Sequence, residues 1–159
     1  MIIRQAEPRD IAPILAFWNP FVRETSVTFT TVEKTPESLA ADMTARGPAY
    51  LVAEEAGTVL GFASYGTFRS GPGYAHTAEH TVILATGVQG RGVGRALMAR
   101  LEEVARGAGL HVLVAGVSGE NEGAIAFHRA IGFVEVARMP EVGRKFERWM
   151  DLVLLQKTL

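Results

Sequence analysis

Apolar and polar residues along the chain follow two periods, and each change of period predicts an element. "MIIRQA" at the start reads as a short strand. Asp10 to Arg23 carries helical apolar spacing, although Pro13 and Pro20 blur its ends. "KTPESLAADMTARGP" is better punctuated: Thr35 suits an N-cap, Pro36 the first helical position, and Gly47-Pro48 a stop. "AYLVAEEAGTVLGFASYG" predicts two strands joined near Ala56-Gly57, followed by loop chemistry in "FRSGPGY" and a strand in "EHTVILA". From Arg91 to Ala108, Val93, Leu97, Leu101, Val104 and Ala108 mark one buried helical face, with Gly107 and Gly109 at its end. "HVLVAGV" then predicts a strand, "NEGAIAFHRAI" a short helix, and "FVEVA" and "RWMDLVLL" two last strands.

The order β-α-α-β-β-β-α-β-α-β-β predicts an α/β fold with a mixed central sheet flanked by helices. A fully parallel doubly wound sheet would not place three strands in a row before the glycine-rich segment. No repeat or linker interrupts the 159 residues, so residues 1–159 are expected to form one domain. Sixteen basic residues against seventeen acidic give a net charge of −1, which argues against a nucleic-acid partner. The chain has no cysteine, and so no thiolate metal site and no covalent cysteine mechanism. The charged start and the lack of a long apolar run predict a cytoplasmic protein with no membrane partner.

Chemistry concentrates in "GVQGRGVGRALM", Gly87 to Met98. A P-loop would need a Gly-Lys pair, which is absent, and "GRGVGR" begins the dinucleotide fingerprint without completing it. The segment does fit a strand, then Q-x-x-G-x-G, then a long helix. Gly90, Gly92 and Gly94 would let a ligand approach amides that have no helical partner and lie at the positive end of the dipole. A pyrophosphate suits that position.

Downstream, "NEGAIAFHRAIGF" supplies N-x-x-A-x-x-x-H-x-x-x-G-F. Together the two motifs resemble the acetyl-CoA core of the GNAT superfamily of N-acetyltransferases. "EHTV", "GLHVLVAGV" and "MPEVGRKFERWMDLVLLQ" are further similar to its phosphinothricin and methionine sulfoximine acetyltransferases. The resemblance implies a GNAT fold and transfer of acetyl from acetyl-CoA to the amine of a small amino acid or analogue, by direct attack in a ternary complex. It implies that Val82, Ile83 and Leu84 pair with the pantetheine arm, and that Gln89, Gly90, Arg91, Gly92, Val93, Gly94 and Arg95 hold the pyrophosphate. Asn121 would meet the cofactor near its reactive end, or simply cap the following helix. Glu79 would be the general base, and His128 would protonate the departing thiolate. A homodimer is also implied.

Arg69 is the best candidate to pair with a substrate carboxylate, because a guanidinium offers a bidentate fork. Phe29, Tyr74 and His76 could wall the same pocket, whereas "VGRKFERW" reads equally well as a solvated turn. Rival readings are a protein or peptide amine acetyltransferase and a non-catalytic acetyl-CoA-binding module. His76 to His80 spells H-x-x-E-H, but in a strand the two histidine Cα atoms stand about 13 Å apart, too far to share a zinc ion. No metal site is expected.

Overall fold

Eleven elements follow the predicted order in the computed structural model, which covers Met1–Leu159. They are β1 (Ile2–Gln5), α1 (Ile11–Glu24), α2 (Pro36–Arg46), β2 (Tyr50–Glu55), β3 (Thr58–Thr67), β4 (Thr77–Leu84), α3 (Val93–Gly107), β5 (Val112–Ser118), α4 (Glu122–Ala130), β6 (Val134–Lys145) and β7 (Arg148–Thr158). Local chemistry sets several of the ends. Thr35 Oγ1 accepts the Ser38 amide at 3.1 Å while Ser38 Oγ accepts the Thr35 amide at 2.9 Å, a reciprocal cap before Pro36. No helix is long and apolar enough to cross a membrane.

All seven strands join one sheet in the order β1-β2-β3-β4-β5-β7-β6, with β4 and β5 its only parallel neighbours. Alternation along each strand divides the core between the two faces. Ala78, Val82 and Leu84 of β4 pack with Leu97, Leu101 and Ile125 on the α3 and α4 side, and Ile83 packs with Ile14, Leu39 and Phe62 on the α1 and α2 side. Under α3, the buried Glu102 carboxylate receives Lys157 Nζ at 2.8 and 2.9 Å. The same ammonium donates to Ile131 O at 2.8 Å, which ties α3, β7 and the end of α4 together.

Two expectations shift. The helix after the glycine loop begins at Val93 rather than Arg91, because Gly90 and Gly92 hold φ of 78° and 79°. Its buried face continues in steps of four through Leu101 to Ala105, leaving Val104 half-buried and Ala108 exposed past the helix end. The penultimate strand is also longer than "FVEVA": β6 runs on to Lys145 through two register shifts. A two-residue turn at Phe146 and Glu147 then reverses the chain with φ of 53° and 59°. Those left-handed positions usually carry Asn or Gly, so the sequence shows no hairpin signal there.

Candidate active site

β4 and β5 pair only from Thr77 to His80 against Val112 to Ala115. Beyond that, Thr81 to Leu84 pair with β3 alone and Gly116 to Ser118 with β7 alone. The strands part into a wedge whose inner backbone groups have no strand to bond, and an extended ligand can take that place. Two cavities open from it, of about 670 and about 430 Å³, and both are lined by Val82, Ile83, Asn121, Ala124 and His128.

The larger cavity runs from Val82, Ile83 and Leu84 to Gln89, Gly90, Gly92, Val93, Gly94 and Arg95. The first helical bond of α3 runs from the Ala96 amide to Gly92 O, so the amides of Val93, Gly94 and Arg95 precede the ladder. No side chain caps that end. Gln89 braces the loop, its Oε1 accepting the Gly87 amide at 3.0 Å. Arg91 turns away to Glu55 at 2.5 Å, whereas Arg95 lines the cavity and makes no ion pair. The glycines have separate reasons. Gly92 needs its left-handed backbone, while a Cβ on Gly94 would press to 3.2 Å from the Phe127 ring of α4.

The smaller cavity holds Glu79 on the α1 and α2 face of β4, with Trp18, Thr28, Phe29, Thr81 and Leu152. Phe29 lies flat on β6, so that a Cβ on Gly143 would be 2.7 Å from its ring. Lys145 Nζ, buried and without a carboxylate, donates to Thr28 O at 2.7 Å and pins the same loop. Glu79 leans over β5, and a Cβ on Gly116 would lie 2.8 Å from its Oε1. Its side chain opens to the cavity, yet lost hydration from the surrounding protein pushes its pKa upward. Gly116 could have been found in the sequence, since a glycine inside the apolar run "HVLVAGV" signals a close approach.

His80, the next residue on β4, faces the other side; the sequence offered it only as a rejected zinc ligand in H-x-x-E-H. Its Nε2 lies 2.9 Å from His128 Nε2, and His128 Nδ1 lies 2.7 Å from Ala124 O. A carbonyl only accepts, so His128 carries its proton on Nδ1. His128 Nε2 is then the acceptor, and His80 Nε2–H the donor. His80 Nδ1 is buried without a hydrogen bond of ordinary geometry, and the nearby Val114 backbone only partly offsets the lowering of the His80 pKa. Burial holds both imidazoles neutral, helped at His80 by its neighbour: the His80 pKa falls to about 3 and that of His128 is also lowered. Both nitrogens of His128 are engaged in this arrangement, one with His80 and one with Ala124 O.

Asn121 does cap α4, with Oδ1 accepting the Ala124 amide at 3.1 Å. It also lines both cavities, with its Nδ2 group free for a ligand. Arg69 and Tyr74 are not brought to Glu79. The guanidinium sits 5.3 Å from the Tyr74 ring centroid, and the two residues line a third cavity of about 380 Å³. His76 lines none of the three and donates from Nδ1 to Gly109 O at 3.0 Å. The H-x-x-E-H segment is strand from Thr77 on.

Residues 16–133 match the model of the Acetyltransferase (GNAT) family. The chain belongs to the GNAT family. Across its whole length this GNAT chain is 41% identical to the L-amino acid N-acyltransferase MnaT of Escherichia coli K12, covering 94% of that protein. It is 40% identical to the L-methionine sulfoximine/L-methionine sulfone acetyltransferase of Salmonella typhimurium, covering 95% of it. Among solved structures, a ribosomal-protein-alanine N-acetyltransferase from Brucella melitensis superposes with a TM-score of 0.95 at 39% identity, each chain covered in full. The yncA protein of Salmonella typhimurium, solved with its cofactor acetyl-CoA, superposes with a TM-score of 0.94 at 40% identity, over all of this chain and 94% of that one.

The histidine pair makes a spectroscopic prediction for this GNAT site. Nitrogen NMR of the imidazoles will show His128 as the Nδ1–H tautomer and His80 as the Nε2–H tautomer, both neutral at about pH 7 to 8. Because folding lowers both pKa values, the unfolded chain takes up protons first. Stability held above about pH 6.5 is lost as pH falls toward the folded values. An Nε2–H signal on His128 at neutral pH would contradict the assignment.

Proposed function

We propose that this chain is an N-acetyltransferase that moves acetyl from acetyl-CoA to the amine of a small amino acid or analogue of the methionine sulfoximine or phosphinothricin type. The observation that carries the reading is the meeting of two cavities at the β4–β5 wedge, one ending in helix amides and the other holding an accessible carboxylate. The names of the L-amino acid and methionine sulfoximine relatives support it.

The cradle suits acetyl-CoA: free strand backbone for an extended arm, three amides before the α3 ladder, and Arg95 with no protein anion. When bound, acetyl-CoA supplies an activated acetyl thioester. Glu79 takes a proton from the acceptor ammonium and so frees its lone pair. The upward shift of its pKa makes it a better base near neutrality than an ordinary carboxylate. Asn121 Nδ2 is placed to orient the reacting end. The second proton lost by the acceptor nitrogen balances the departing sulfur. With no cysteine in the chain, the acetyl group passes directly to the amine.

A homodimer belongs to the same reading. The final hairpin exposes Val136, Met139, Val142, Phe146 and Trp149, Trp149 at 60%, a large apolar surface for a free monomer.

The reading is tested by thiol release from acetyl-CoA against a panel of amino acids, their analogues and peptides with free N-termini. Turnover is expected with methionine sulfone, methionine sulfoximine or phosphinothricin. Turnover of peptides alone would favour the protein-directed reading suggested by the Brucella structure's name. Glu79→Gln will cut kcat by about 100-fold near neutral pH, with part regained at high pH as the amine deprotonates unaided. In the unaltered enzyme, kcat/KM will fall as pH drops through the raised Glu79 pKa, an acid limb that the variant loses. Arg95→Ala will weaken coenzyme A binding about ten-fold by calorimetry, worth about 1.4 kcal/mol, without lowering the melting temperature.

A further inference from the structure

We propose that Arg46, on a helix distant in sequence from the motifs, binds the carboxylate of the acceptor and makes the site a reader of zwitterions. The inference rests on the amino-acid reading above and deepens it. Arg46 ends α2 and reaches down onto the sheet, where Nη1 donates to Ser64 Oγ at 2.6 Å. Its guanidinium carbon is 3.6 Å from where a Cβ on Gly66 would stand. Gly66 is the direct cross-strand partner of Glu79. Facing residues of an antiparallel pair share one face of the sheet, about 5 Å apart at Cβ. Arg46 and Glu79 therefore occupy the same face, one strand apart.

Opposite charges so close would ordinarily collapse onto each other, and these do not. No carboxylate comes within 4.0 Å of Arg46, and Asp42, one helical turn earlier, is taken by Lys34 at 2.9 Å. Ser64 holds the guanidinium over β3, while Glu79 leans the other way, over Gly116 of β5. The charges diverge across the β4 row. An acceptor placed between them offers an ammonium to one and a carboxylate to the other.

Arg46 and Gly66 wall the cavity of about 380 Å³ that also contains Arg69, Thr67, Ser70 and Thr77, and no acidic residue lines it. Arg69 is exposed on a loop and occupied by the Tyr74 ring, whereas Arg46 is half-buried and held on Ser64 of β3, the strand next to that of Glu79. A cation at a helix C-terminus is favourable in itself, but dipole compensation requires no bond into the sheet. The arrangement selects a free amino acid over an amine without a neighbouring anion, because only the former satisfies both charges.

The test compares acetylation of methionine sulfone and of its carboxamide by the unaltered enzyme and by Arg46→Gln, Arg69→Gln and Ser64→Ala. The unaltered enzyme is expected to prefer the acid by about 100-fold in kcat/KM. Arg46→Gln should reduce that preference to a few-fold through a raised KM for the acid, with carboxamide turnover and the KM for acetyl-CoA unchanged. Unchanged carboxamide turnover also shows that the variant is folded. Arg69→Gln should keep most of the preference. If Arg46→Gln fails to fold, Ser64→Ala asks the same question by loosening the guanidinium, and a reduced preference is again expected. Equal use of acid and carboxamide by the unaltered enzyme, or a preference that survives both the Arg46 and Ser64 changes, overturns the Arg46 assignment and leaves the amino-acid reading standing. Turnover of peptides but of neither amino-acid compound overturns that reading, and this inference with it.

Discussion

Parallel strands that pair for four residues and then part leave a row of peptide groups with no partner, and a buried unpaired peptide group costs about 1–3 kcal/mol. A sheet tolerates such a row only where water or a ligand reaches it, so the β4–β5 wedge forces the cavities around it to stay open. The walls follow from that constraint. Lys145 and Gly143 of β6 fix the Thr28-Phe29 loop on one face, and Asn121 fixes the start of α4 on the other. Gly116 has no side chain where the strands begin to separate, which is where Glu79 needs the volume.

The two neighbours Glu79 and His80 show how one cause gives opposite results. Loss of hydration always disfavours the charged form, so it raises a carboxyl pKa and lowers an imidazole pKa. Alternation along β4 sends the carboxylate to the accessible face and the imidazole into the layer beneath α4. The Ala124 carbonyl then orders the protons of both histidines through one chain of donors and acceptors. The α4 side is electrically quiet as a result, and the carboxylate stands on the face where the acceptor would bind.

Much of this was legible in the sequence, and what was not legible has physical reasons. Helix and strand periods, the Thr35-Pro36 cap and the glycine loop are local signals, and the elements they predict appear in the expected order, with shifts at the start of α3 and the end of β6. The Phe146-Glu147 turn was invisible because its left-handed positions carry residues that rarely adopt them. His80 escaped because its meaning lies 48 positions away, in a histidine that looked complete as an acid. Arg46 escaped for a similar reason: Ser64 and Gly66 become its neighbours only when α2 folds onto β3. Arg69 failed as a neighbour of Glu79 because closeness along a chain does not bring a loop to the face that a strand residue uses.

The glycine loop also bears on the position of α4. Gly94 meets Phe127, so the start of α3 and the flank of α4 are a single packed contact. Phe127 precedes His128 on that helix, and Asn121 caps it. A shift of the loop by even a few tenths of an ångström must move the Phe127 ring, and with it the turn that carries both residues at the wedge, since packed interiors transmit displacement rather than absorb it. The amides at one end of the long cavity and the groups at its reactive end are therefore positioned by the same contact. A ligand seated at the amides would reach the wedge at a depth that the Gly94–Phe127 contact sets.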